Sequence, residues 1–126
     1  MRWALLLTCL TLAPSACTST ATELRAAQAL YKSARYEQCQ SYLEALEREV
    51  DAMDERDLTR FHYLRGMTAF RLGQADDALH YLALAAALTD EDPLRLPENW
   101  LPILHRTLEQ VTPVTASPHA RSVSSL

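Results

Sequence analysis

Glycine is nearly absent from this chain. Two occur among 126 residues, Gly66 and Gly73, and both fall in one stretch, "GMTAFRLGQADDAL". Strand-and-turn architectures use glycine freely at tight turns, so a chain this poor in it, and rich in alanine and leucine, reads as helical. Basic runs are missing as well. The net charge is −4, which argues against a nucleic-acid binder, whose footprint is a basic face. No phosphate loop, nucleophile elbow or paired-cysteine motif is present. At this length the chain holds one small domain at most.

The N-terminus carries a different signal. In "MRWALLLTCLTLAPSAC" one charge, Arg2, precedes an apolar run from Trp3 to Ala13, and small residues close it. That order is an export signal, and the run is shorter than the ~20 apolar residues needed to span a bilayer. "PSAC" resembles the lipobox of bacterial lipoproteins at Ser15, Ala16 and Cys17, with Pro14 where leucine is usual. The resemblance implies a signal peptide over 1–16, acylation at Cys17 and a short lipidated tether over 17–22. Thr18 after the cysteine implies outer-membrane sorting rather than retention. Cleavage after Ala21, at "STA", is the alternative and gives a soluble periplasmic protein. With Cys9 in the signal and Cys17 lipidated, Cys39 stands alone and reads as a small buried residue.

An internal repeat explains the two glycines. Setting 26–46 over 65–85, at an offset of 39 residues, pairs Ala27 with Gly66, Ala34 with Gly73, Cys39 with Ala78, Leu43 with Leu82 and Tyr31 with Phe70. These small and large positions resemble the tetratricopeptide repeat, a helix–turn–helix unit of about 34 residues. The resemblance implies an all-α fold of two helical hairpins, in which Gly66 lets a partner helix approach and Gly73 turns the chain at positive φ. The extra residues of the longer spacing are placed in "REVDAMDERD", lengthening the second helix. Helices are expected over 21–34, 37–54, 58–72, 75–89 and 99–111, giving a helical domain over 23–111. Thr20 to Glu23 reads as a capping box with Thr20 as N-cap. The fifth helix, N-capped by Asn99 and carrying Pro102 in its first turn, is expected to bury Trp100, Ile103, Leu104 and Leu108 and to cap the stack. Residues 112–126, rich in Pro, Ser and Thr, are expected to be disordered.

In the repeat family the first helix of each unit lines a concave groove. The matching positions here are Leu24, Gln28, Tyr31 and Lys32, then Tyr63, Met67, Phe70 and Arg71. The implied function is a membrane-anchored interaction scaffold, not an enzyme, that holds one peptide or helix of an envelope protein. Assembly of an outer-membrane or secretion machine is the setting this implies. No cofactor, metal or nucleic acid is expected. Asp76, Asp77 and His80 share a helix face and constitute the rival reading, a metal-dependent enzyme, but no further ligand joins them at recognisable spacing. The cluster 51–60, four acids and two arginines, reads as a solvated connector, with an acidic docking patch as the alternative.

Overall fold

The computed structural model describes residues 19–113, and every regular element among them is helical. Five α-helices follow in order: α1, Thr20–Lys32; α2, Tyr36–Leu46; α3, Glu55–Arg71; α4, Ala75–Glu91; α5, Leu101–Val111. Short 3₁₀ turns cover Glu47–Ala52, Pro93–Arg95 and Glu98–Trp100. Helix α1 packs on α2 and α3 on α4; α3 also meets α1 and α2, and α5 lies against α4 and α3. The signal segment 1–16, Cys17 and residues 114–126 lie outside the described residues.

The core is one apolar cluster. Ala27, Cys39, Leu43, Ala78, Leu82, Ala85 and Leu104 are fully buried, with Leu24, Leu46, Phe61, Leu64, Met67 and Leu96 beside them. Gly66 marks the tightest crossing. A Cβ built there would stand 2.6 Å from Leu82 Cγ and 3.0 Å from its backbone nitrogen. The absence of a side chain therefore lets α3 lie on α4, and Leu82 fills the space.

The two connections share three backbone hydrogen bonds. At the end of α1, the amides of Ser33, Ala34 and Arg35 donate to Ala29, Tyr31 and Leu30 at 3.1, 3.0 and 3.0 Å. At the end of α3, those of Leu72, Gly73 and Gln74 donate to Thr68, Phe70 and Ala69 at 3.1, 3.1 and 2.9 Å. Each acceptor and donor is shifted by the same 39 residues that the sequence alignment gave. This is the six-to-one, five-to-two pattern that ends a helix through one left-handed residue. Gly73 takes φ +74 there, and Ala34 takes φ +57, the one non-glycine residue with positive φ among those described.

The flanks differ. In α3, Phe61, Leu64 and Thr68 are buried, but the positions 39 earlier, Thr22, Arg25 and Ala29, are exposed. The outer face of α1 is thus a polar terminus rather than a second stacking surface.

Several boundaries depart from the sequence reading. Helix α1 starts at Thr20, so 20–22 are helical and not tether, and the helical domain begins there rather than at 23. Its N-cap is Ser19, without a side-chain cap bond. Glu23 does not reach back, because its carboxylate accepts the hydroxyl of Tyr42 on α2. The second helix does not run to 54. It stops at Leu46 and tightens to 3₁₀; Glu47, Glu49 and Asp51 would place three carboxylates on the negative end of a continued α-helix. Asp54 then caps α3, its Oδ1 accepting the Asp57 amide at 2.8 Å. Asn99 is no N-cap: it lies within the turn Glu98–Trp100, and Trp100 precedes the first residue of α5. Pro102 does fall in the first turn. Ile103 is exposed, and Thr107 is buried with Leu104 instead.

Ala34→Gly, which relieves a left-handed alanine, should raise unfolding free energy by about 0.5–1 kcal/mol. Gly73→Ala should lower it by about 1 kcal/mol or more. Urea denaturation of the two variants checks both signs.

Candidate functional site

The candidate surface is defined by the side chains that α1 and α3 leave uncovered near their C-termini. The structure divides the expected residues into two groups. Tyr63 and Met67 are buried, 4% and 2% exposed. The Tyr63 ring stacks on Trp100, with centroids 4.6 Å apart and planes at 16°. Desolvation accordingly raises the Tyr63 pKa above its ordinary value. These two residues, with Leu24, are core, and they offer no face to a partner. For Tyr63 the cover is Trp100, in the chain leading into α5.

The second group remains accessible. Lys32 and Arg71 are exposed, and Gln28, Tyr31 and Phe70 are half-buried. Arg71 Nε donates to the Tyr31 hydroxyl at 3.2 Å, joining α3 to α1. That bond raises the Arg71 pKa further, so the guanidinium is charged at any working pH. Tyr31 also meets Tyr36 edge-to-face at 5.4 Å. The resulting surface has a cationic rim over an aromatic floor, two properties enriched at interface centres.

A second polar constellation gave no sequence signal. Arg65, with a side chain 11% exposed, donates to Glu44 at 3.3 Å, to Glu47 at 3.4 Å and to the Tyr81 hydroxyl at 3.1 Å. Its guanidinium carbon lies 4.8 Å from the Tyr81 ring centroid. Tyr81 in turn donates to Glu47 at 3.1 Å. The partners of Arg65, 16 to 21 residues away in sequence, become visible only when α2, α3 and α4 meet. His62 stacks on Tyr81 at 6.1 Å. Burial first, and then His80, lower its pKa, against an opposing pull from Glu47. A reciprocal amide pair, Gln40 with Gln74, adds a further tie between α2 and the α3–α4 turn.

Cys39 is buried, its thiol donating to Ala27 O at 3.3 Å and lying 3.4 Å from Thr68 Oγ1. Desolvation raises its pKa, which disfavours the reactive thiolate. Asp76, Asp77 and His80 are exposed at the start of α4. Among the described residues no three His, Cys, Asp or Glu side chains are grouped to hold a metal ion, and no helix is long and apolar enough to cross a membrane. Comparison of the chain with family models, curated proteins and solved structures finds no match.

Two predictions follow from this division. Trp100→Ala, which strips the cover from Tyr63, should cost about 3–5 kcal/mol in denaturant unfolding, whereas Lys32→Ala should cost less than about 0.5 kcal/mol. His62 has a lowered pKa in the folded state, so the unfolded chain binds its proton first. Stability should therefore fall as pH drops below the ordinary histidine value of about 6.5, and His62→Phe should remove that part of the loss. Urea midpoints measured across this range for both proteins check the sign.

Proposed function

We propose that this chain is a small helical-repeat scaffold of the tetratricopeptide kind, tethered through Cys17 to the outer membrane and facing the periplasm. It holds one extended segment or helix of an envelope protein on the face formed by Gln28, Tyr31, Lys32, Phe70 and Arg71. The observation that supports the repeat reading is the matched pair of turns, in which three amide–carbonyl bonds recur 39 residues on. Exact recurrence of a turn is what tandem copies of one supersecondary unit produce.

The docking reading rests on the Tyr31–Arg71 bond. It fixes two long side chains on neighbouring helices, so a partner meets a surface already ordered, and little rotamer entropy remains to be lost. The scaffold is short: among the described residues α1 and α3 are the two first helices, and α5 lies against α4 and α3. One partner segment, rather than a folded domain, matches that extent. The reading gives the chain no catalytic role. The metal-enzyme alternative would centre on His80 and Asp76, where the solvated acids also suit the positive end of α4 without any ligand.

Anchoring and docking are tested separately. Mass spectrometry of the envelope fraction should find Cys17 as the acylated first residue, with Cys17→Ser releasing the protein; an unmodified N-terminus at Thr22 overturns the anchor. For docking, a photo-crosslinker placed at Lys32 or Arg71 in cells should give a discrete adduct that is absent when the same group sits at Ala87, exposed on α4. Indistinguishable patterns from all three positions overturn the docking face.

A further inference from the structure

The repeat supplies its own template for a ligand. In the first copy, Tyr36 opens α2 and sets its ring edge-on against Tyr31 at 5.4 Å and 61°. The residue 39 positions on from Tyr31 is Phe70, and that from Tyr36 is Ala75, the first residue of α4. Because the two turns share three backbone hydrogen bonds and each passes through one left-handed residue, Ala75 holds the place in the second copy that Tyr36 holds in the first. In the second copy the floor ring is kept and the ring that packs on it is reduced to a methyl group.

The consequence is a notch of about 230 Å³ lined by Phe70, Gly73, Ala75, Gln110 and Val111. It is bounded by the end of α3, the turn, the start of α4 and the end of α5. That is below the roughly 300–1,000 Å³ of sites for drug-sized ligands, so it suits a single side chain rather than a cofactor. Its walls are a phenyl ring, a valine and two small residues, with the Gln110 amide at the rim. A methyl at position 75 and an open glycine leave one face of Phe70 to be covered, and the first copy shows the shape that covers such a face.

We propose that this notch takes an aromatic side chain, a phenol or phenyl ring, presented by the partner and packed edge-to-face on Phe70 as Tyr36 packs on Tyr31. Edge-to-face packing pairs the positive ring edge with the negative ring face, which favours an aromatic over an aliphatic group of equal area. Residues 114–126 hold no phenylalanine, tyrosine or tryptophan, so they do not supply the ring. The proposal rests on the reading of the adjoining face as a docking surface, and it narrows the partner to a segment with one aromatic residue in reach of the α3–α4 turn.

The test is a heteronuclear NMR titration of the full chain with N-acetyl-tyrosinamide, and with N-acetyl-leucinamide as control. Tyrosinamide should shift the amides of Gly73, Ala75, Gln110 and Val111 and should bind about twofold to tenfold more tightly than leucinamide. Ala75→Tyr, which restores the ring of the first copy from within, should abolish the shifts. If that variant is not folded by circular dichroism, Ala75→Leu takes its place. Equal response to the two amides, or shifts that persist in the filled variant, overturns the proposal. So does a nuclear Overhauser contact from the Trp3 indole to Phe70, which would make the occupant this chain's own N-terminal segment. The titration involves no partner protein. Failure here with discrete adducts at Lys32 or Arg71 removes the notch alone, and failure of the adducts removes the docking face.

Discussion

The approach of α3 to α4 at Gly66 is the constraint on which the rest depends. Leu82 occupies the space that a side chain at 66 would need, its Cγ and backbone nitrogen standing within 3.0 Å of where a Cβ would lie. Around this crossing lie Ala78 and Ala85, both fully buried, which keep the α4 side of the contact as thin as the α3 side. The first copy places larger residues at the matching positions. Ala27 replaces the glycine and Cys39 replaces Ala78, and both are fully buried. Close packing at interior density leaves no room for substitution at these places, so the small residues are structural before they are anything else.

From that crossing follow the positions of the surfaces. With α3 held on α4, Arg65 is brought under Tyr81 and within reach of Glu44 and Glu47, tying α3 to α2, to the 3₁₀ turn and to α4 by side chains alone. At the other end of α4, Asp90, Glu91 and Asp92 gather carboxylates where the helix is already negative. Arg95 answers them, donating to the Leu88 carbonyl at 2.9 Å and to Glu91 at 2.8 Å while pairing with Glu55 at the start of α3. The chain then leads through Trp100 into α5, and this covers Tyr63. The candidate surface lies at the other end, where α1 and α3 finish and leave Lys32 and Arg71 exposed.

The sequence made some of this legible and hid the remainder for identifiable reasons. Helix type and number could be read because alanine and leucine spacing repeats over long runs, and the offset of 39 was visible because small residues recur in it. Gly73 announced its turn. Ala34 did so only through alignment with Gly73, since alanine carries no left-handed preference of its own. Helix ends were harder. Thr20 looked like an N-cap, but Ser19 lies one residue earlier and Glu23 found a better partner in Tyr42, a contact no local pattern encodes. The groove list failed at Tyr63 and Met67 for a related reason: periodicity places residues on one helix face, but it does not say which later segment will cover that face. Arg65 shows the converse, a residue that no local pattern singles out and that is held by partners on α2, the 3₁₀ turn after it and α4. The export signal and Cys17 depend on residues outside those described, and their reading stays with the sequence.

A double-mutant cycle at the crossing addresses the central claim most directly. Unfolding free energies would be measured for the native chain, Gly66→Ala, Leu82→Ala and the double variant. If the methyl at 66 is unfavourable because Leu82 is in its place, Gly66→Ala should be distinctly less costly in the Leu82→Ala background, with a coupling of about 1 kcal/mol or more. Costs that add to within about 0.5 kcal/mol would mean that the two residues do not contend for the same space. The close approach of α3 to α4 would then not be what holds this fold together.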